Sequence, residues 1–554
     1  MKTNPGPDPR PGPECAPGPV AVHGCSDALA LFVDRAAAAA PGLDLGLELD
    51  DVARAAAEAL CRRLDGIPLA IELAAAQLSD CSLDALSERL HSRFEVLTAR
   101  HHAVSGALAR HSTLRTTIGW SHELCTPLER LLWARLSVFA GGFDLNAAES
   151  VCSGGPLPAR TVPETLDGLV AKSLVRPRAD GPGPVLRYGM LDTVREYGTH
   201  WLRELGEDEA DAARRRHRDF YRELARRADA EWFGPHQVSW YERTVADHAN
   251  LRCALDFCLT DADGRSALEM GGALWFFWCG CGFAREGRHY LEQALDRFPA
   301  PGPHRARAVW ACGLSALAQG DADAAARLGR NFRTAAESRS DPAALTVAAY
   351  LDGASLMQLG KNRDAAVVLD AAPYTQDHGS TYTAVRFLSG VVRAFVHANL
   401  GEFDDAAVVA AGLRTESVRR GERWGRAWAD WILALSAFGL GRPDEAASFA
   451  RTALEGKALF HDSLGSAVAV DLLASAAVAT GRSERAARLL GIGQRIWETL
   501  GLSQLGMPEL VAAREATERQ ARQDIGDTAY ETAYGAGLES DIDEGIAYGL
   551  RPCT

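Results

Sequence analysis

A mainly α-helical chain organised around a solenoid of stacked hairpins is what this sequence predicts, and three observations predict it. Between Trp310 and Trp497 a glycine returns as Gly320, Gly360, Gly401, Gly441 and Gly481, in steps of 40, 41, 40 and 40 residues. Each is followed at five and six residues by an alanine pair: Ala325-Ala326, Ala365-Ala366, Ala406-Ala407, Ala446-Ala447 and Ala486-Ala487. Seven residues before each glycine stands another small residue, namely Gly313, Gly353, Ala394, Ala434 or Ala474. A small residue in mid-helix lets a partner helix approach, the glycine closes that helix in a left-handed cap, and the alanines let the second helix pack back. One such hairpin cannot bury its own apolar face, so hairpins in phase must stack.

These offsets resemble the tetratricopeptide repeat, whose small residue, turn glycine and following alanine are spaced in the same way. The period here is about 40 residues rather than the family's roughly 34, which implies longer helices or longer connections. The repeats occupy residues 300–499 and leave a helical tail over 500–554. Gly282 and Gly287 suggest one further, degenerate hairpin within a helical lead-in over 207–299.

Upstream of the repeats the chain reads as three segments. Residues 1–22 hold seven prolines with glycines between them, a composition that cannot pack a core and predicts disorder. Over 23–105 apolar residues recur at helical spacing through LALFVDRAAAAA, DDVARAAAEALCRRLDGIPLAIELAAAQL and LDALSERL. Over 106–206, Thr126-Pro127-Leu128-Glu129 is a capping box with proline at the first helical position, which starts a helix. Three helices followed by strands at 174–176 and 185–188 predict a winged helix with a two-stranded wing.

On these phrases the chain resembles STAND-class signalling ATPases, and more narrowly the large ATP-binding transcriptional regulators of the LuxR type and their AfsR-like relatives. The stretch CRRLDGIPLAIELAAAQL is similar to the helical part of their nucleotide-binding (NB-ARC-like) module. Gly66-Ile67-Pro68 matches the family's GxP motif, so the resemblance implies that Pro68 lies where an adenine contact would be. Gly66 breaking one helix and Pro68 starting the next accounts for the same residues without a nucleotide. Met190-Leu191-Asp192 falls where the family has its MHD motif, with leucine in place of histidine, which leaves Asp192 as a vestigial nucleotide contact.

Composition sets limits on function. The 554 residues carry a net charge of -14, and 47% of them are hydrophobic, an ordinary soluble composition without the basic excess of a nucleic-acid coat or membrane-surface protein. The twelve cysteines form no CxxC pair, and Cys279-Gly-Cys281 suits neither zinc nor a thioredoxin-like site, so reduced thiols in a cytoplasmic protein are expected. No apolar core segment of a signal peptide stands at the N-terminus. The longest apolar run, residues 270–283, is too short to span a bilayer and predicts a buried helix.

Catalytic signatures are missing from the sequence. A STAND ATPase needs GxxxxGK[ST], and Gly360-Lys361-Asn362 and Gly456-Lys457-Ala458 lack both the hydroxyl residue and the earlier glycine. The run Leu29 to Asp34 ends in an acid, as a Walker B strand does, yet its spacing is helical. The family places its phosphate loop some 150 residues before the GxP motif, so the reading is a chain without the catalytic half and without the C-terminal DNA-binding module. No cofactor is expected, although the family uses ATP and ADP. His101, His102 and His111 stand on a polar segment without acidic partners and predict a solvated loop rather than a metal site.

DNA binding is disfavoured on charge. The third helix of the predicted winged helix offers Lys172 against Glu164 and Asp167. The basic run at 214–218 sits where seven arginines face seven acids over 207–229, which predicts a salt-laced helix face. The expected function is therefore non-catalytic regulation, with a protein or small-molecule signal received on the solenoid. Trp424, Arg426, Trp428 and Trp431 are candidates for that surface, against aromatic packing between hairpins. Two alternatives remain: an ATP-dependent switch whose phosphate-loop half is supplied elsewhere, and a winged-helix transcription factor. No membrane partner is expected, and self-association is left open.

Overall fold

The computed structural model describes residues 25–39, 51–64, 66, 68–79, 82–83, 85–86, 118–178, 185–260, 264–339, 342–372 and 379–552. The proline-rich segment at 1–22 and His101, His102 and His111 lie outside the described residues. Two compact units divide the chain, one reaching to Arg216 and the other running from His217.

In the first unit, helices Cys25–Ala39, Asp51–Arg63 and Pro68–Ala75 share a core of Phe32, Leu60, Ile71 and Ala74 with Trp120. Leu29 to Asp34 lies inside the first of these helices, as its spacing implies. A winged helix follows, built from helices Pro127–Leu136, Leu145–Cys152 and Val162–Ala171. The capping box is complete. Glu129 N donates to Thr126 Oγ1 at 3.3 Å, and Thr126 N donates to Glu129 Oε2 at 2.7 Å. Arg135, buried, ties two of the helices together by donating to the carbonyls of Cys152 and Gly154 at 2.7 and 2.9 Å.

The wing departs from expectation in extent and strand number. Its strands are Arg176–Arg178 and Arg187–Gly189, displaced by about two residues, and Phe143–Asp144 adds a third strand to give the antiparallel order Phe143–Asp144, Arg187–Gly189, Arg176–Arg178. Leu174 and Val175 end the preceding turn instead, because both their N–H groups donate to Leu169 O. A two-residue strand has no alternation to detect, so the sequence does not announce it.

In the second unit five hairpins stack in order. Their first helices are Pro303–Leu317, Pro342–Gln358, Gly379–Asn399, Trp424–Gly439 and Ser463–Ala479. Their second helices are Ala322–Glu337, Asn362–Asp370, Phe403–Arg420, Pro443–Ala458 and Ser483–Leu500. Each first helix packs on its own second helix and on the first helix of the following hairpin. First helices of 15 to 21 residues account for the long period.

The turns repeat one design. All five predicted glycines have φ between 72 and 80°. Each N–H bonds three residues back, and the next residue's N–H bonds five residues back, as in Gly441 N to Phe438 O at 3.0 Å with Arg442 N to Ala437 O at 2.9 Å. That is the paired bonding of a Schellman cap. A Cβ at Gly441 would meet nothing within 4 Å, so strain and packing separate cleanly there. Gly441→Ala is expected to lose about 1–2 kcal/mol from backbone strain alone, read as a fall in Tm. A Tm equal to or above that of the parent would refute the left-handed cap.

The small residues act at close approaches. A Cβ on Gly353 would come to 2.6 Å from Leu369 Cγ on the second helix of its hairpin, and one on Gly313 would strike Leu351 of the next hairpin. Of the alanine pairs, the first member is fully buried in all five hairpins, whereas the second is buried in the last two. One alanine is thus buried in every hairpin, and a second joins it in the last two.

The apolar run at 270–283 forms two short helices, Arg265–Ala273 and Trp275–Gly280, broken at Leu274. With Ala284–Arg297 and the left-handed Gly282 they make the degenerate hairpin. No helix among the described residues is long and apolar enough to cross a membrane. Six of the eight described cysteines are buried. Beyond the repeats come a 3-10 turn at Ser503–Gly506 and helices Pro508–Ile525, Asp527–Leu538 and Ile542–Leu550.

Candidate functional site

Trp424, Trp428 and Trp431 stand four and three residues apart on helix Trp424–Gly439, a spacing that puts them on one face. They meet edge to face, at 6.3 Å and 82° for the first pair and 5.9 Å and 88° for the second. Trp424 and Trp431 are buried and Trp428 is half-buried. All three line a cavity of about 160 Å³ inside the solenoid. The tryptophan candidates therefore face inward. Arg426 is not among the lining residues: it lies 3.4 Å from the buried carboxylate of Asp430, which also accepts from Arg414 Nε at 2.6 Å.

Every first helix of the solenoid contributes to the wall. Leu314 and Leu317 come from the first hairpin, Tyr350, Ala354, Met357 and Gln358 from the second, Val391 and Phe395 from the third, and Leu464 and Val468 from the fifth. Leu505, Met507 and Leu510 of the tail close the remaining side. No lining residue bears a charge. Two polar atoms of lining residues have no hydrogen-bond partner among the described residues: Gln358 Oε1 and Trp428 Nε1. Gln358 is buried and its amide nitrogen is already used, donating to Leu317 O at 3.1 Å.

The segment closing the cavity is held at both ends of the stack. Gln504 Nε2 donates to Asp471 Oδ2 of the fifth hairpin at 3.1 Å, and Asn362 Nδ2 of the second donates to Glu509 Oε1 at 2.6 Å. A Cβ at the first turn glycine, Gly320, would stand 2.5 Å from Leu502. Gln504 and Leu505 are both left-handed, with φ of 50 and 49°. Two consecutive non-glycine residues in that region store strain, which the surrounding contacts must hold.

Behind the aromatic wall sits a buried ion pair. Lys457 Nζ lies 3.0 Å from Asp462 Oδ2, with side chains 1% and 2% exposed. The ammonium also sits 3.7 Å from the ring centre of Trp428 and 4.5 Å from that of Trp424. Asp462 accepts from Trp424 Nε1 at 2.9 Å and caps helix Ser463–Ala479 through Gly465 N at 2.9 Å. Burial draws the Lys457 ammonium down to about 8 against the opposing pull of Asp462. Cys279, also in the cavity wall, is pushed up to about 12 by burial and is no nucleophile at neutral pH.

The two nucleotide-contact candidates lie in the first unit. Gly66 has φ of 63° and Pro68 begins helix Pro68–Ala75, so helix break and restart are what these residues build. Asp192 is exposed at the start of helix Asp192–Glu204 and pairs with Arg195 at 2.9 Å. A pocket lined by Phe139, Arg178, Met190, Asp192 and Arg195 does not include Pro68.

Glu164 and Asp167 are exposed on helix Val162–Ala171, while Lys172 is drawn 2.8 Å from the buried Glu129. In the basic run at 214–218, Arg214 pairs with Asp211, Arg216 with Glu209 and Arg218 with Asp219. His397, Glu402 and Asp405 gather at the third turn, where His397 Nδ1 lies 2.7 Å from Glu402 Oε2.

Sequence reasoning missed Gln358, the Lys457–Asp462 pair and the role of the tail. The one available signal was a lone amide on the apolar face of ASLMQLG, two residues before the turn glycine.

Residues 126–203 match the winged helix-turn-helix domain family. A protein named as an HTH-type transcriptional regulator in Mycobacterium tuberculosis is 37% identical over 270 residues, which is 49% of this chain and 29% of that one. An uncharacterized protein of the same organism is 38% identical over 205 residues, covering 34% and 47%. The chain thus spans less than half the length of the curated relatives it matches. Among solved structures, a STAND protein with a tetratricopeptide repeat sensor from Pyrococcus horikoshii aligns at a TM-score of 0.42 and 13% identity, covering 95% of this chain and 74% of that one. A Rap protein complexed with competence and sporulation factor aligns at 0.38 and 11%, covering 59% and 99%.

Proposed function

We propose that this chain is a non-catalytic regulatory protein of the STAND transcriptional-regulator kind, whose helical repeats receive a ligand or protein partner. The observation that carries this reading is the presence, in one chain, of a winged helix matched at 126–203 and a five-hairpin solenoid whose first helices line an aromatic cavity. The relatives named as HTH-type transcriptional regulators support it. Comparing transcripts in a strain lacking the chain with those in the same strain carrying it tests the reading. A set of transcripts should change on loss and return on complementation, and identical profiles would discard it.

Nucleotide chemistry is not part of this reading. An adenine contact at Pro68 would stand without any GxxxxGK[ST] in the sequence, which leaves little binding energy. Calorimetry on the purified chain should detect no binding of ATP or ADP at micromolar concentration, and a clear isotherm would revive the switch reading.

A second reading, direct DNA binding, is favoured by the winged-helix match itself. Against it stand the two exposed acids on helix Val162–Ala171 and the engagement of Lys172 by Glu129. A mobility-shift assay near 50 mM salt separates the two, because phosphate contacts are strongest there. Charge predicts no shift, and a shift that fades steeply with salt would assign DNA binding to this domain.

A further inference from the structure

We propose that the cavity lined by the solenoid is the site of a neutral, single-ring aromatic ligand bearing one hydroxyl, a phenol-class compound, packed on one side against the tail segment 502–510. The inference rests on the reading of the repeats as the signal-receiving part and specifies the chemistry of the signal.

Size, charge and polarity each narrow the ligand. A volume of about 160 Å³ is close to the ~150 Å³ apolar cavity of an engineered protein that takes up benzene, so the space suits one ring. No charged side chain lines the cavity, and a carboxylate or ammonium buried there would bear a desolvation cost of several kcal/mol. The walls are aromatic on several sides, with Tyr350, Phe395 and the three tryptophans offering edges and faces to a ring.

The polar demand is small and complementary. Gln358 Oε1 needs a donor and Trp428 Nε1 needs an acceptor, and neither finds one among the described residues. Burying such groups unpaired costs about 1–3 kcal/mol apiece. Both atoms belong to residues of the wall, and a hydroxyl, being donor and acceptor at once, can serve either of them. Trp428 is further fixed by the Lys457 ammonium at 3.7 Å from its ring centre, which keeps the indole in place when the cavity is empty.

Leu505, Met507 and Leu510 form the one part of the wall that does not come from the degenerate hairpin or the repeats, and Leu505 with Gln504 is held in left-handed backbone. A strained segment pinned by the Gln504–Asp471 and Asn362–Glu509 bonds can release as a unit and close again over a ligand. Ligand in the cavity adds contacts to Leu505 and Met507, so occupancy stabilises the closed segment.

Ligand-observed NMR on the purified full chain, with phenol, benzene and benzoate at millimolar concentration, tests the proposal. Phenol should bind most tightly, benzene at least tenfold more weakly, and benzoate not at all. Ala354→Phe fills the cavity and should abolish phenol binding. Gln358→Leu removes the acceptor and should weaken phenol at least tenfold while leaving benzene unchanged, so one variant failing to fold leaves the other decisive. Hydrogen exchange of amides at 502–510 should slow on adding phenol. Phenol bound equally by parent and both variants, or benzoate bound as well as phenol, would overturn the site. Failure of all three probes alongside a positive transcript test would reject this ligand class and leave the regulatory reading standing; binding without any transcript change would do the reverse.

Discussion

Asp462→Ala is expected to lower the unfolding free energy by roughly 3–5 kcal/mol, the range for breaking a buried pair by removing one partner. The substitution strands the Lys457 ammonium beneath the rings of Trp424 and Trp428 with no counter-charge. It also leaves Trp424 Nε1 without its acceptor and uncaps helix Ser463–Ala479. The attraction of the cation to the two indole faces is already present in the parent, so it offsets none of those losses. The double variant Lys457→Met with Asp462→Asn should recover more than half of the loss, because asparagine keeps an oxygen for the indole and the cap while methionine fills the lysine's apolar volume. Urea unfolding reads both, and a single variant within 1 kcal/mol of the parent would mean that water reaches the pair.

The same pair gives a pH signature. Burial holds the folded Lys457 near 8, while its ordinary value is 10.5. Between those values the unfolded chain binds the extra proton, so this group's contribution to stability rises with pH across that window, and below it, where both states hold the proton, the slope vanishes. Lys457→Met should remove that slope.

Gly491→Ala is the second change expected to be severe. A Cβ there would run into the carbonyl oxygen of Tyr534 and stand 2.8 Å from Leu538 N, both backbone atoms that cannot rotate away. The relation is reciprocal, since a Cβ on Gly537 would strike the Arg488 carbonyl. Helices Ser483–Leu500 and Asp527–Leu538 therefore touch backbone to backbone, and one added methyl must push them apart. A loss of about 1–3 kcal/mol is expected, with faster hydrogen exchange over 527–550. Gly535→Ala is the matched control: its Cβ would meet nothing within 4 Å, so helix propensity should make it neutral or slightly stabilising. Equal effects from the two would sink the close-crossing account.

Local signals carried the fold. Glycine before a polar run, alanine after it and the Thr126–Glu129 box each act through bonds within a few residues, and all stand where the spacing put them. What depends on distant partners was not legible. Gly491 and Gly537 share no period with the repeat, and their partner is another helix's backbone. The tryptophan spacing told which side chains share a face but not that the face turns inward, because an apolar stripe reads the same against a partner or a neighbouring hairpin. The left-handed pair Gln504 and Leu505 has no local cause, since neither residue favours that region, and its contacts lie in hairpins more than a hundred residues apart in sequence.

The tail that reaches from the fifth hairpin back to the turns at Gly320 and Gly360 also constrains how this protein can vary. An open stack of repeats tolerates gain or loss of a unit, because every unit touches only its neighbours. Here an inserted or deleted 40-residue module would carry the far turns away from Leu502 and Glu509, so the number of units is locked by a clasp between beginning and end, as in a bracelet of fixed length.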